Sequence, residues 1–378
     1  MAETPDRPLV TKSHHFPALD AFRALVSLTV CLHHTQAYWG ITVPRAPVAV
    51  DLFFLLGGFV VAFSYERRLL EGRISCRDFV LIRLIRLYPL YLLSLVMISA
   101  PVLVALFAHH TQPAYIVAQY VWAAVLGVVM LPMRITGSES VYTLNVVYWS
   151  LFWALATNFA YAWLIHRLKD RVLFAIAAVV GLLLTACVAA NRGISLGPLW
   201  GWLSFAGGLL RAVFGMAVGV LLFRNYNTVP RWLLGGGGYL LPLALITLVL
   251  WGPSIGQGDW VLQLLAVFLV FPWCIIRAAR GAQPAGDRML QTVGFVSYPI
   301  YVLHEPLAHI LEVMTAKRMV QYAPVSGFVM VVMLVVLALV VDRKVDRPIR
   351  SWLTARCFGR PTRSAVAVPA EALQAIPR

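Results

Sequence analysis

The first apolar segment of the chain carries an arginine and a histidine at a spacing that could serve catalysis. Within LDAFRALVSLTVCLHH, Arg23 precedes His34 by eleven positions. On a helix that spacing places both side chains on one face, about 16 Å apart along the axis. Asp20 lies one turn before Arg23 and can pair with it. We expect Arg23 and His34 to face one membrane-embedded passage, because ionisable groups at that depth favour a functional role.

Other interpretations of these side chains stay open. Arg23 could extend to the membrane surface beside Asp20, while the histidines cap the opposite end of the helix. Asp51, near the start of the next apolar segment VDLFFLLGGFVVAF, could orient the His34 imidazole and strengthen it as a general base. Asp51 could also cap its own helix, since negative charge is favoured at an N-terminus, and the two roles are compatible.

A pair of arginines lies at the entrance to the third apolar segment. In RDFVLIRLIRLYPLYLL, Arg83 and Arg86 are three positions apart and share a helix face. Guanidinium groups bind phosphate through paired hydrogen bonds, so this spacing predicts a phosphate site. The same pair would also suit an ordinary anchor to the inner leaflet. Arg211, inside the sixth apolar segment, is a further intramembrane charge and candidate functional residue.

A polar stripe runs along the ninth apolar segment, QTVGFVSYPIYVLHEPLAHI. Tyr298, Tyr301 and His304 are spaced three apart, and Glu305 follows directly. Residues three apart lie close together on a helix surface, so the stripe should face a cavity or the interior of a bundle. A seam of interhelical hydrogen bonds would produce the same pattern.

The elements that must position these residues are membrane helices. The 378 residues are 60% hydrophobic and only 12% charged, against about 25% charged residues in soluble domains. Long continuous apolar runs predict an all-α polytopic integral membrane protein, because every backbone group at membrane depth needs an internal partner. We predict about ten transmembrane helices, at 18–39, 46–65, 84–107, 144–165, 172–190, 199–222, 233–251, 259–276, 290–312 and 324–342.

The distribution of positive charge decides the predicted topology. One further apolar stretch, 114–131, is interpreted as re-entrant or interfacial, which leaves every basic loop on one side. The inner segments then hold 24 of the 31 lysines and arginines, and the outer segments hold five. This asymmetry predicts that both termini are cytoplasmic. The expected organisation is a cytoplasmic N-terminal segment (1–17), a transmembrane domain (18–345) and a cytoplasmic basic tail (346–378).

Composition also argues against two other classes of partner. The net charge of +15 does not indicate nucleic-acid binding, since the basic residues lie between apolar runs and not among stacking aromatics. The five cysteines are scattered without a CxxC pair, and no metal site is predicted. The expected partner is the lipid bilayer, and the sequence leaves the oligomeric state open.

Six segments occur in an order and spacing typical of one family. They are LDAFRALVSLTVCLHH, VDLFFLLGGFVV, RLIRLYPLYLL, YWSL at 148–151, RAVFGMAVG at 211–219 and SYPIYVLH at 297–304. Together they resemble the acyltransferase-3 family of membrane acyltransferases, over about residues 17–345. The resemblance implies a bacterial inner-membrane O-acyltransferase. It would move an acyl group, usually acetyl, from cytoplasmic acyl-CoA to a hydroxyl on a glycan or lipid-linked sugar.

The resemblance also assigns roles to individual residues. It implies that His34 and Arg23 are the family's essential histidine and arginine, and that Arg83 and Arg86 contact the CoA donor. Asp51 would support His34. The residues expected to bind substrate are Trp149, Ser150, Arg211, Tyr298, Tyr301 and His304.

The chain departs from the family pattern at two positions. Gly57 stands where the family often has a serine, and Ala154 where a glutamate commonly follows the YWSL motif. The missing carboxylate bears on the acceptor more than on the donor. Two other hypotheses therefore stay open. One is a secondary transporter of a small organic molecule, which the intramembrane charges would also suit. The other is an acyltransferase-like subunit that only senses or scaffolds.

Overall fold

The computed structural model describes residues 16–109, 112–230, 238–281, 288–315 and 317–359, which form helices joined by loops. Over these ranges there are two isolated β-bridges and no strand, so the all-α prediction is confirmed. In chain order the helices are α1 (Pro17–His34), α2 (Gln36–Trp39), α3 (Ala49–Leu70), α4 (Cys76–His109), α5 (Ala114–Gly127), α6 (Tyr148–Leu164), α7 (Asp170–Asn191), α8 (Trp202–Asn225), α9 (Leu240–Trp251), α10 (Asp259–Leu265), α11 (Phe271–Arg280), α12 (Arg288–Met314), α13 (Val325–Val341) and α14 (Arg347–Phe358). Single π-helical turns join α10 to α11 (Ala266–Val270) and α13 to α14 (Asp342–Asp346).

The structure contains fewer clear membrane spans than the sequence predicts. Among the described residues, six helices are long and apolar enough to cross a membrane, and two more apolar helices are shorter. Helices lie at the ten predicted positions, although 233–237 falls outside the described residues, and the number ten is not confirmed. Helices α1 and α12 are not among the six because polar side chains lower their hydropathy. The six are Ala46–Leu70, Cys76–Ala108, Asp170–Asn191, Trp202–Asn225, Gly256–Arg280 and Val325–Phe358.

The apolar stretch predicted to be re-entrant or interfacial contains a short helix. Helix α5 has 14 residues, a length of about 21 Å, which is less than the roughly 30 Å hydrocarbon core. It packs against α4, whose Tyr88 and Tyr91 donate hydroxyl hydrogen bonds to the backbone carbonyls of Val128 and Gly127. These bonds satisfy carbonyls that the end of a helix leaves without partners.

Helices α3 and α8 form the closest pair in the bundle. A Cβ on Gly58 would lie 2.5 Å from the Met216 carbonyl oxygen, and one on Gly219 would lie 2.3 Å from the Leu55 carbonyl oxygen. Small residues allow backbones to approach in this way, which is a common means of packing helices within a bilayer. The rigid pair carries Asp51 on α3 and Arg211 on α8.

Arginines at both ends of the bundle are held by carboxylates. Arg45 lies 3.3 Å from Asp259 and donates a hydrogen bond of 2.8 Å to the Val249 carbonyl. Arg224, at the other end of the bundle, lies 3.0 Å from Glu66 and 2.7 Å from Asp170. Buried or half-buried charges need such partners, and the two arginines tie loops and helix ends together.

The predicted C-terminal tail begins with an ordered helix. Helix α14 continues from α13 through the π turn and packs against α4, so the boundary expected at 345 falls inside a continuous helical element. Residues 360–378 of the predicted tail and residues 1–15 of the predicted N-terminal segment lie outside the described residues.

Candidate active site

A cavity of about 270 Å³ lies between helices α1, α3, α4, α6, α8, α12 and α14. We call it the arginine cavity, because four guanidinium groups line it: Arg23, Arg83, Arg86 and Arg350. Three of these were expected at the site from their sequence positions, and Arg350 was not. The cavity also contains carboxylates, from Asp20, Asp342 and Asp346.

The arginines of the cavity differ in their pairing. Arg23 lies 3.1 Å from Asp20, as predicted from their spacing. Over the described ranges, Arg83 and Arg86 take part in no ion pair, and the Arg83 Nε is buried without a hydrogen-bond partner. Buried donors without partners are rare in folded proteins, and an anionic ligand in the cavity could supply the missing acceptor. Arg83 and Arg86, the two arginines predicted to hold phosphate, are thus the two cavity arginines that form no ion pair with the residues that the structure describes.

Helix α12 supplies the tyrosines of the cavity. Tyr298 lines it, and its hydroxyl donates a hydrogen bond of 2.7 Å to the Leu87 carbonyl of α4.

A proline in α12 leaves one backbone carbonyl without its helical partner. Pro306 has no N–H to donate to the Val302 carbonyl one turn earlier. That carbonyl instead accepts hydrogen bonds from Ser94, at 2.9 Å, and from Asn145, at 3.3 Å. The proline therefore fixes α12 against α4 at the level of His304 and Glu305.

Two hydroxyl groups, called the hydroxyl pair below, lie on the side of the cavity that faces His304. Ser150 and Tyr301 both line the cavity, and their hydroxyl oxygens are 2.6 Å apart. The Tyr301 ring packs edge-on against Phe53, with centroids 5.2 Å apart, and against His304, with centroids 6.3 Å apart. His304 is therefore the next layer beyond the cavity wall.

Beyond this layer lies the histidine cluster, formed by His34, His304 and Glu305. His34 Nδ1 is 2.9 Å from His304 Nε2 and 3.7 Å from Glu305 Oε1. His304 is fully buried, whereas the His34 side chain is 22% exposed. Of the residues the structure describes, those lining the cavity do not include His34 or His304. The single passage expected to join Arg23 and His34 is therefore interrupted here by the hydroxyl pair.

The hydrogen-bond chain assigns the protons of the cluster. His304 Nδ1 lies 3.1 Å from the Ile300 carbonyl, which can only accept, so this nitrogen carries the ring proton. His304 Nε2 is then an acceptor, and His34 Nδ1 must donate to it. His34 Nε2 is consequently left with its lone pair, which is the form a general base requires.

The cluster also contains ligand types that bind metals. The three ligand atoms lie within 4.8 Å of one another, and zinc accepts imidazole and carboxylate ligands. The cluster could therefore hold a metal ion, which the sequence does not predict. The contact of 2.9 Å between the rings is a hydrogen-bond distance and accounts for the arrangement through ring protons alone.

Asp51 does not have the partner expected for it. Its carboxylate forms a doubly hydrogen-bonded ion pair with Arg211, with Oδ1 2.9 Å from Nε and Oδ2 2.7 Å from Nη2. Both side chains are almost fully buried. The residues that contact His34 are His304 and Glu305, so the prediction that Asp51 orients His34 is corrected.

Two residues predicted to bind substrate are engaged elsewhere. Arg211 also donates to the carbonyls of Leu196 and Pro47, so all three of its guanidinium nitrogens have protein partners. Trp149 packs its ring 5.0 Å from the Arg211 guanidinium carbon. Neither residue is among those lining the cavity. Both hold helices α3, α6 and α8 together, and their predicted contact with substrate stays a prediction.

Both departures from the family pattern lie on the cavity wall. Gly57 and Ala154 line the cavity, and a Cβ added to Gly57 would meet nothing within 4 Å. The wall is therefore apolar and open at the two positions where a hydroxyl and a carboxylate are often found.

Glu305 and Arg350 are the site residues that the sequence alone did not identify. Glu305 was visible as the residue after His304, but its contact with His34 spans the distance between two helices. Arg350 lay within a basic stretch that looked like a solvated tail.

Comparison with known proteins identifies the family of the chain. A family model described as an acyltransferase domain matches residues 16–341. The chain is also 32% identical over 176 residues to "Protein 2 in picA locus" of Rhizobium radiobacter, a match that covers 44% of this chain and 92% of that protein. No solved structure matches the chain. The family match takes in α1 through α13, with the histidine cluster and most of the residues that line the arginine cavity, and this multi-pass membrane protein belongs to the acyltransferase-3 family.

Proposed function

We propose that the protein transfers an acyl group, acetyl in the simplest case, from acyl-CoA to a hydroxyl of an extracytoplasmic acceptor. The donor's phosphates would bind Arg83 and Arg86, and its thioester would lie toward the hydroxyl pair. One observation carries this proposal. The cavity contains Arg83 and Arg86, which form no ion pair with the described residues, and only the Tyr301 side chain separates it from His304, the hydrogen-bond partner of His34.

His34 would act as the general base of the transfer. Its Nε2 accepts the proton of the acceptor hydroxyl as the hydroxyl oxygen attacks the thioester carbonyl. The tetrahedral intermediate then collapses, the bond between carbon and sulfur breaks, and the CoA sulfur takes the proton back from His34. His304 holds the ring in the required tautomer through the bond of 2.9 Å. Glu305 favours the positive charge that develops on the ring.

The hydroxyl pair would act at the meeting point of donor and acceptor. Tyr301 lies between the cavity and His304, so its hydroxyl and that of Ser150 are placed to donate to the developing oxyanion. Exchange of their mutual hydrogen bond for bonds to the thioester would open the layer that separates the cavity from His34. Arg23 is about 16 Å from His34 along α1 and would therefore neutralise donor charge and not the oxyanion.

The acceptor would reach His34 from the side of the histidine cluster. We propose a glycan or lipid-linked sugar there, because the His34 side chain is partly exposed, at 22%, while the cavity approaches from the other end. On this proposal the arginine end faces the cytoplasm of a bacterial inner membrane. Family membership favours acyl transfer over secondary transport. The described residues show no feature that supports transport and not acyl transfer.

The experiment is acyl transfer measured with labelled acetyl-CoA, comparing wild type, His34→Ala and His33→Ala at equal abundance in the membrane. His33 neighbours the base but makes no contact with His304 or Glu305. We expect His34→Ala to lower the transfer rate by about 100- to 10,000-fold, the contribution typical of a general base. The His33 variant should stay active. Full activity in the His34 variant would overturn the proposal.

A further inference from the structure

Arg350 reaches the arginine cavity from a part of the chain outside the family match. It lies on α14, beyond residue 341, where that match ends. Its Nη2 lies 3.3 Å from Asp342 Oδ1 and also contacts Asp346 Oδ2. All three residues line the cavity.

The pairing of Arg350 is incomplete. Both carboxylates contact the same guanidinium nitrogen, and the Arg350 Nε is buried without a hydrogen-bond partner. The Oδ1 of Asp346 is likewise buried and unpartnered. Asp342 already has a second cation, since its Oδ2 lies 2.7 Å from Arg347. A buried ion pair that only stabilised the fold would be expected to satisfy these atoms.

The unpartnered atoms belong to residues that line one cavity. The Nε of Arg83 and the Nε of Arg350 are both buried donors without partners, on α4 and α14 respectively. A ligand with several anionic oxygens would satisfy both, because a guanidinium can present two parallel donors to a phosphate. Asp346 is the opposing charge at this wall.

Resting on the proposed function, we propose that Arg350 is a third phosphate ligand of the CoA donor and that Asp346 competes with the phosphate for it. In the free protein Asp346 holds Arg350. When the donor enters, Arg350 exchanges the carboxylate for a phosphate. After transfer, Asp346 takes Arg350 back and so assists the release of CoA.

The two partners of this ion pair therefore have opposite predicted effects on affinity. The test measures binding of CoA and of dephospho-CoA, which lacks the 3′-phosphate, to the full chain in lipid nanodiscs. We expect Arg350→Ala to weaken CoA binding by about tenfold, a loss typical of one charge-assisted contact. We expect Asp346→Asn to strengthen CoA binding. Arg356→Ala is the matched control, since Arg356 is exposed on the same helix and does not line the cavity.

The other outcomes each decide the question. If Arg350→Ala and Asp346→Asn both weaken binding, the pair is structural and the inference is wrong. If Arg350→Ala does not fold, the Asp346→Asn result decides alone, and an unchanged or weaker affinity overturns the inference. Normal binding by Arg350→Ala with loss in Arg83→Ala would overturn this inference and leave the proposed function standing. Wild type that binds no CoA would overturn both. A smaller effect of Arg350→Ala on dephospho-CoA than on CoA would place Arg350 at the 3′-phosphate.

Discussion

At the scale of single residues, one carbonyl determines the chemistry of His34. The Ile300 carbonyl accepts the proton of His304 Nδ1, and this fixes the direction of the next hydrogen bond along the chain. In the neutral form of His34 the proton then lies on Nδ1 and the lone pair on Nε2. An imidazole without such a partner could adopt either tautomer, and only one of the two leaves Nε2 unprotonated.

A substitution at Asp51 distinguishes a catalytic role of this residue from a structural one. Asp51→Asn leaves the Arg211 guanidinium buried beside a neutral partner. Breaking a buried ion pair in this way destabilises a protein by about 3–5 kcal/mol. We therefore expect a lower melting temperature and lower abundance of the purified Asp51→Asn protein, with wild-type acyl transfer per folded molecule.

A double variant provides the control for this prediction. Asp51→Asn combined with Arg211→Gln removes both charges and should be less destabilised than the two single changes added together. If the Asp51→Asn protein is stable but has lost transfer activity, the result would contradict the structural role and support a catalytic role of Asp51 at His34.

At the scale of elements, the contact between α3 and α8 sets the shape of the cavity. Both Gly57 and Gly58 line the cavity, but a Cβ on Gly58 would meet the backbone of α8, whereas one on Gly57 would meet nothing within 4 Å. Successive residues on a helix point about 100° apart, so adjacent glycines can serve a packing contact and a cavity wall.

These two glycines should respond differently to the same substitution. Gly58→Ala would place a methyl group 2.5 Å from the Met216 carbonyl oxygen, and such overpacking costs about 1–3 kcal/mol. Gly57→Ala meets nothing within 4 Å and should leave stability unchanged. Thermal unfolding of both purified variants measures the difference. Equal melting temperatures of the two variants would show that the stability of the protein does not depend on the close approach of α3 and α8 at Gly58.

Element positions were readable from the sequence because long apolar runs must form helices within a bilayer. Helices lie at the predicted positions, and Arg83 and Arg86 share a cavity wall because i, i+3 spacing is a local property of a helix. The pairing of Asp51 with Arg211 was not readable. It depends on how two helices 160 residues apart are rotated about their axes, and spacing along the chain does not determine that rotation.

At the scale of the whole molecule, the charged groups divide between two regions. Arg23, Arg83, Arg86 and Arg350 line the cavity, while His34, His304 and Glu305 lie beyond the hydroxyl pair. The spacing of eleven positions from Arg23 to His34 sets this separation at about 16 Å along α1. The sequence predicts one passage with arginines at one end and His34 at the other, but not the layer that interrupts it, since Ser150 and Tyr301 come from helices that the chain order does not place together.

Arg350 shows a different limit of the sequence. A basic stretch after the last apolar run has the composition of a solvated tail, and composition alone does not reveal that α14 packs against α4. Arg350 follows the π turn at Asp342–Asp346, whose two aspartates also line the cavity.

The central claim is that the donor enters at the arginine end and the acyl group leaves at the histidine end. Sealed inverted vesicles and sealed right-side-out vesicles from the native host expose opposite faces to membrane-impermeant labelled acetyl-CoA. We predict that membrane-associated label accumulates only in the inverted vesicles. Inverted vesicles that carry the Arg83→Ala/Arg86→Ala variant should accumulate no label. Detergent permeabilisation should make both preparations of wild type equally active. Equal labelling of the two sealed preparations, or unchanged labelling without the two arginines, would contradict the account.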